Sequence, residues 1–454
     1  MLIRFGISKA VINAIPNKKT NFKYMNASPL IIVGNGIAGA TLAREVRKKS
    51  TRPILLISEE HPYFFSRTAL MYVYMGHLTF EHTQPYASDF WKQNNISLLQ
   101  GRVKGFDAQK KEIFLAKGEI LPYEDLVWAV GSRSNRFGWP GEQARRVQGL
   151  YHKQDLDQLE VWSPEIKEAV IVGGGLIGIE LAEMLHSRGK KVHFLVRENS
   201  FWNRVLPKEE SALLNEHIRQ HGIDLRLNTE LERIETDDQG NAIGVVTSEG
   251  ENISCQYVGL TAGVSPNIDF LKDSSLNCKR GILVNRFLET NLPHVYAIGD
   301  CAEQKEPVAG RRSIEAVWYT GRMMGETLAQ SLCGVKTAYQ PGPWFNSAKF
   351  FDIEYQTYGR VSPVPEPDTE TQWFWQHPEK NILLRWAFHP KTHKLLGMNS
   401  FGIRIRHEVL QNWLLSDRTV ETAIEAFPTA AFDPEFTQNY HAEIQAAFQH
   451  QFSH

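Results

Sequence analysis

No cysteine occurs in the first 254 residues, and the four that follow, Cys255, Cys278, Cys301 and Cys333, stand 23 or more residues apart. There is no CxxC or CxxCH, which excludes iron–sulfur, zinc-ribbon and c-type haem sites built on closely spaced thiols. A disulfide-stapled secreted protein is excluded on the same ground, and a reducing compartment, the cytoplasm, is the expectation. Charge of one sign is missing too: 50 Lys+Arg against 51 Asp+Glu leave a formal charge of −1. That balance lacks the basic excess that nucleic-acid binding needs. No apolar run approaches the roughly 18 residues of a spanning helix, and mean hydropathy is −0.34. The chain therefore reads as soluble and globular, with no transmembrane segment. Its 454 residues allow about three domains.

Acid is absent from residues 1–28, which carry Arg4, Lys9, Lys18, Lys19 and Lys23. This stretch reads as a disordered extension outside the fold. An organellar transit peptide and a true start at Met25 stay open.

Two glycine-rich turns are present. Leu30 to Val33 is a short apolar run, Gly34-Asn-Gly36-Ile-Ala-Gly39 opens a helix, and Ile54 to Ile57 is the next strand. Such a strand–turn–helix–strand unit lets a pyrophosphate approach the backbone and meet free N–H donors at the helix N-terminus. Glu59, twenty residues past Gly39, is placed to accept from ribose hydroxyls. The pattern repeats 139 residues on, with Ala169 to Val172, Gly173-Gly-Gly175-Leu-Ile-Gly178, a helix, and Val192 to Val196. One GxGxxG is weak evidence, whereas two in βαβ context indicate two dinucleotide sites.

With these turns go LVWAVGS (Leu126 to Ser132), TAGVSPN (Thr261 to Asn267) and TNLPHVYAIGDCAE (Thr290 to Glu303). In this set and order the chain resembles the flavoproteins related to glutathione reductase, which bind FAD at the first unit and NAD(P)H at the second. The resemblance covers about residues 29–335. It implies an α/β fold with two Rossmann-like dinucleotide-binding domains and a C-terminal α+β domain. The expected division is an FAD-binding domain at 29–140 and 265–338, an NAD(P)H-binding domain at 141–264, and a flavin-covering or interface domain at 341–454. FAD contacts are expected at Gly34, Gly36, Ala38, Gly39, Glu59, Arg67, Val103, Ala129, Gly131 and Asp300. Nicotinamide-nucleotide contacts are expected at Gly173, Gly175, Ile177, Gly178, Arg197 and Gly263.

Where one large class of these enzymes keeps a reactive cysteine or cysteine pair, this chain has FFSRTALMYVYMG, Phe64 to Gly76. The stretch resembles the thiol-free branch of ferredoxin and rubredoxin reductases, the flavin region of nitrite reductase, and apoptosis-inducing factor. Ser66, Arg67, Tyr72 and Gly76 align with that branch, and Arg67 is expected on the FAD pyrophosphate. Many relatives place a lysine where Tyr72 stands and pair it with the glutamate that corresponds to Glu180, so the Lys–Glu pair is missing. Without thiols, glutathione, thioredoxin and lipoamide reduction are excluded. What remains is hydride transfer from a nicotinamide to flavin N5, then release of electrons from the flavin itself. Glu180, Tyr72 and Trp318 are the candidate catalytic residues, with Trp318 in a helix, SIEAVWYTGRMMG, that caps the flavin in relatives.

Val196 sits where an NAD-binding chain normally has an acid, and Arg197 follows it, with Arg204 near. NADPH is therefore expected over NADH, although Glu198 next door suits a ribose hydroxyl. From about Pro341 the chain carries five of its eleven tryptophans. TQWFWQ and ILLRWAF read as strands, HKLLGMNSFG as a turn, and Ser347 stands where some relatives have a flavin-side tryptophan. In relatives this domain forms a dimer interface or covers the flavin, leaving a homodimer open. Arg404, Arg406 and His407 read either as a solvated face or as a dock for an acidic carrier. A final helix is expected with Asp433 as N-cap and Pro434 at its first position. Its stripe Phe436, Tyr440, Ile444, Phe448 and Phe452 is expected to pack on the parent domain. The expected activity is an FAD-dependent NAD(P)H oxidoreductase serving a separate acceptor, a small redox protein such as ferredoxin or rubredoxin. A peripheral quinone reductase and a flavin-bound signalling protein are the alternatives.

Overall fold

The structure, a computed structural model, describes residues 28–433, 435 and 438–452. The basic extension therefore lies outside the described residues, as do Pro434 and Phe436. Strands β1 (Leu30–Val33), β2 (Ile54–Ser58), β3 (Ile96–Gln100) and β4 (Asp125–Trp128) build a parallel sheet ordered β4-β1-β2-β3. Val295–Ala297, far along the chain, completes it beside β4. Every residue of β1, β2 and β4 is buried, as expected of strands covered on both sides, whereas β3 at the sheet edge is partly exposed.

A second parallel sheet repeats the plan, with β5 (Glu168–Val172), β6 (Lys191–Val196), β7 (Asp224–Leu227) and β8 (Tyr257–Leu260) in the order β7-β6-β5-β8. Val147–Gln148 closes its far edge. In each sheet a helix leaves the glycine turn: α1 (Ile37–Arg47) after β1 and α2 (Leu176–Ser187) after β5. Helix α3 (Lys208–Gln220) precedes β7, and α4 (Trp318–Leu332) lies on α1. Gly321 and Gly325 make that last contact close, since a Cβ on Gly325 would stand 2.7 Å from the Ala38 carbonyl oxygen. The GRMMG spacing is thus a packing device that fixes where Trp318, the first residue of α4, is held.

The third sheet is antiparallel, β9 (Phe345–Phe350), β10 (Ile353–Gly359), β11 (Thr371–Gln376), β12 (Leu383–Phe388) and β13 (Leu395–Phe401), ordered β9-β10-β13-β12-β11. Here two expectations fail. LLGMNSF is no turn but the central strand β13, in which Met398, Asn399 and Ser400 are almost fully buried. Buried polar partners hid its strand character: Asn399 donates to Glu210 and Ser400 to the Ile403 carbonyl. The final helix α5 (His441–Phe452) starts eight residues after Asp433, which is no N-cap but sits at φ 48° in a bend. The stripe itself packs as expected: Tyr440, Ile444 and Phe448 are buried against Trp373 and Trp375. Among the described residues no helix is long and apolar enough to cross a membrane.

Candidate functional site

The two glycine turns face one continuous cavity of about 2580 Å³. At the first, Gly34 adopts φ +110°, and a Cβ there would lie 2.0 Å from the Ala129 carbonyl oxygen. A Cβ on Gly39 would lie 1.9 Å from the Gly34 carbonyl oxygen, so this glycine seats the helix on its own turn. Gly36 differs, because nothing lies within 4 Å of where its Cβ would be. It caps α1 without any side-chain hydrogen bond, and no acid occupies the first turn. The second turn has the same division. Gly173 (φ +119°) and Gly178 are hemmed in by backbone at 2.7 and 2.3 Å, while Gly175 opens onto empty space at the uncapped start of α2. Each turn thus presents unspent N–H donors and a positive helix end to the cavity, the chemistry a pyrophosphate requires.

The crossovers out of both sheets meet beside these turns. Gly131 (φ +66°) and Gly263 (φ +89°) lead into Ser132–Ser134 and Val264–Pro266, which pair antiparallel. On that floor Asp300 accepts from Ser132 Oγ at 3.1 Å and Tyr151 Oη at 3.4 Å. Burial raises its carboxyl above the ordinary value, and the Ser132 hydrogen bond opposes this. Asp300 belongs to a short 3-10 turn, Gly299–Cys301, directly after Val295–Ala297. The crossovers carry the carboxylate to the cavity as an acceptor for hydroxyls.

Arg67 reaches the cavity, but its charge is engaged. Glu60 takes a bidentate pair from it at 2.6 and 2.9 Å, and its guanidinium lies over the Tyr151 ring at 4.5 Å. Glu60 is held down to about 2: burial opposes this, and hydrogen bonds from His152 and Arg67 overcome it. The neighbouring Glu59 is exposed on the cavity wall at the end of β2, 3.6 Å from Arg102. Ala38, Val103, Ala129 and Ile177 also line the cavity, while Gly39 and Gly178 do not.

Glu180 and Tyr72 both line the cavity, Tyr72 standing where many relatives have a lysine. Burial, with Glu183 one turn along α2, pushes the Glu180 carboxyl up to about 7. A cation does stand here: Lys349 of β9 places Nζ 3.8 Å from Glu183 Oε1 and 6.0 Å from the Tyr72 ring centre. It comes from the third sheet, so no local pattern around Tyr72 predicts it. Ser347, two residues before it on the same strand, bonds the Tyr319 hydroxyl at 3.1 Å. Trp318 also lines the cavity. None of the four cysteines does, and all four are free. Burial raises the Cys255 and Cys301 thiols to about 12.

At the second sheet's end Val196 is fully buried, and Arg197 and Glu198 reach the cavity. Glu198 accepts from Arg197 Nε at 2.9 Å and contacts Arg204 Nε at 3.2 Å. Arg404 and Arg406, the small basic cluster of the sequence, are each matched by a carboxylate, Glu354 and Glu408. His407 packs against Phe345 with ring centres 4.1 Å apart. Among the described residues, Lys279 and Arg312 stand exposed on the rim with no carboxylate partner, and Arg280 between them donates to Ser313 at 2.9 Å and lies 3.9 Å from Glu303.

Residues 28–325 match the family described as pyridine nucleotide-disulphide oxidoreductase. The chain is 33% identical over 334 residues to the 5,5'-dehydrodivanillate O-demethylase ferredoxin reductase subunit of Sphingobium sp. (strain NBRC 103272 / SYK-6), covering 72% of this chain and 81% of that one. It is 30% identical over 336 residues to a ferredoxin–NAD(P)(+) reductase of Sphingomonas sp., covering 73% and 80%. Its fold is similar to that of a ferredoxin reductase for the CYP199A2 system from Rhodopseudomonas palustris, at TM-score 0.77 and 22% identity, with 93% of this chain and all of that one covered.

Proposed function

The chain belongs to the pyridine nucleotide-disulphide oxidoreductase family, and we propose that it passes electrons from NADPH through FAD to a small acidic redox protein. FAD and NAD(P)H are the family's cofactors, and the chain is an NAD(P)H oxidoreductase. One observation carries the reading: both glycine turns, Asp300 and Glu180 open into a single cavity from which every thiol is absent. FAD, when bound, accepts electrons as a pair and releases them singly, the conversion needed between a nicotinamide and a one-electron carrier.

The chain's own residues bind and orient. Gly36 and the N-terminus of α1 receive the FAD pyrophosphate, and Asp300 accepts from the ribityl hydroxyls. Gly175 and the N-terminus of α2 receive the second pyrophosphate. Trp318, held in place by α4 on α1, covers the reacting rings, and Glu180 holds a proton beside them near neutrality. Arg197 and Arg204 set two guanidinium groups against the one carboxylate of Glu198, leaving positive charge for a ribose 2′-phosphate. Lys279, Arg280 and Arg312 form a basic rim for an acidic carrier.

Anaerobic mixing of the yellow protein with NADPH, and separately NADH, tests this. Fast bleaching with NADPH preferred is the expected result. A preference for NADH would refute the roles of Arg197 and Arg204 while leaving the oxidoreductase intact. No bleaching with either would overturn the whole reading.

A further inference from the structure

Helix α3 ends in two histidines four residues apart, His217 within it and His221 just beyond, which places both rings on one face with centres 4.4 Å apart. The tight turn between β9 and β10 brings Asp352 against them. Asp352 Oδ1 stands 2.8 Å from His217 Nε2 and 3.6 Å from His221 Nε2. One ligand atom from each residue lies within 4.8 Å of the others.

From this geometry we propose that His217, His221 and Asp352 form a site for a divalent transition-metal ion, zinc being the best match. Two imidazoles and a carboxylate are a donor set zinc accepts, and bonds of about 2.0 Å put tetrahedral ligand atoms about 3.3 Å apart. The two spacings to Asp352 bracket that value. His217 Nε2 is buried and makes no aligned hydrogen bond, even to the nearby carboxylate. An orphaned buried nitrogen aimed at an acid and a second imidazole is better satisfied by a shared cation than by the protein alone.

The outer shell agrees at His221, while at His217 the Asn381 side-chain amide lies 3.0 Å from Nδ1, and metal binding needs that amide turned so that its oxygen accepts from Nδ1–H. His221 Nδ1 lies 2.9 Å from the His217 carbonyl oxygen, which places the proton on Nδ1 and leaves the Nε2 lone pair free. Phe351 stacks on His221 at 4.2 Å and walls one side, while the side chain of Asp352 is 77% exposed and leaves positions for water. The ion would fasten the C-terminal end of α3 to the third sheet. Its N-terminal end is already fastened there, by Glu209 and Glu210 on Arg385.

Untagged holoprotein, stripped with a chelator and dialysed, is titrated with Zn(II) by calorimetry, and its unfolding temperature is followed with and without the ion. One site per chain is expected, with a higher unfolding temperature when it is filled. H221A and D352A should each bind at least tenfold more weakly and lose that rise. Both replaced side chains are partly or largely exposed, so the metal-free unfolding temperatures should stay at the wild-type value. Absence of saturable one-to-one binding in the wild type overturns the inference. So does a variant that binds Zn(II) as the wild type does.

Discussion

Neighbouring glycines in one motif carry different burdens, and their substitutions should separate. Gly34→Ala forces a Cβ onto the Ala129 carbonyl from a backbone at φ +110°. It should destabilise the fold by roughly 1–3 kcal/mol or more, seen as a lower unfolding temperature of the apoprotein. Gly36→Val adds bulk where nothing is within 4 Å, so the apoprotein should unfold near the wild-type temperature while the flavin content of the purified protein falls. Glu180 gives a pH prediction. Its carboxyl rises from 4.5 to about 7, so the rate of flavin bleaching should show an inflection near pH 7 that E180Q removes. The folded chain holds this proton more tightly than the unfolded chain. Stability therefore falls as pH rises from about 4.5 towards about 7, and E180Q should flatten that fall in thermal melts. The glycines were legible in the sequence because their spacing is a local constraint of turn and helix. Lys349 was not, because only the pairing of β9 with the rest of the third sheet brings it to Tyr72.

At the scale of elements, helix α3 is joined to the third sheet by a buried charge cluster. Arg385 Nε donates to Glu210 at 2.8 Å and Nη2 to Glu209 at 2.6 Å, with Asn399 donating to the other Glu210 oxygen at 2.8 Å. Arg385→Met strands a fully buried carboxylate and should cost roughly 3–5 kcal/mol, read from denaturant or thermal unfolding. Adding Glu210→Leu removes the stranded charge and should recover most of that loss. This cluster also explains why β13 escaped sequence reading. Its Asn399 and Ser400 look like turn residues until Glu210 of helix α3 and the Ile403 carbonyl supply their partners. The late start of α5 has a related cause: Asp433-Pro434 is a sound local cap signal, but the register that buries Tyr440, Ile444 and Phe448 against Trp373 and Trp375 sets the helix further on. Tertiary packing overrode a local preference in both places.

Over the whole molecule, three sheets converge on one cavity, and its charge is uneven. The cluster around Arg404 is neutralised by its own acids, whereas Lys279 and Arg312 have no acid partner among the described residues. Reversing them (Lys279→Glu with Arg312→Glu) should raise KM for an acidic protein acceptor severalfold and weaken the salt dependence of turnover. Bleaching by NADPH should be unchanged, because neither residue touches the nucleotide turns. The two-sheet plan was readable from repeated glycine motifs, since each repeat is a self-contained βαβ unit. The basic rim was not, because it joins residues from separate loops with no shared pattern.

The strand Val295–Ala297 has a consequence for biosynthesis. Until it leaves the ribosome, β4 is an unprotected sheet edge, and Asp300, just behind it, does not yet exist. At roughly 5–20 residues per second, the interval between β4 and its partner is on the order of ten to thirty seconds. During that time the second nucleotide-binding unit can fold to completion while the first waits, edge open and prone to aggregate. The half of the enzyme that begins first is thus the one finished later, and shortage of chaperones should reduce the yield of a correctly closed first sheet before it affects the second.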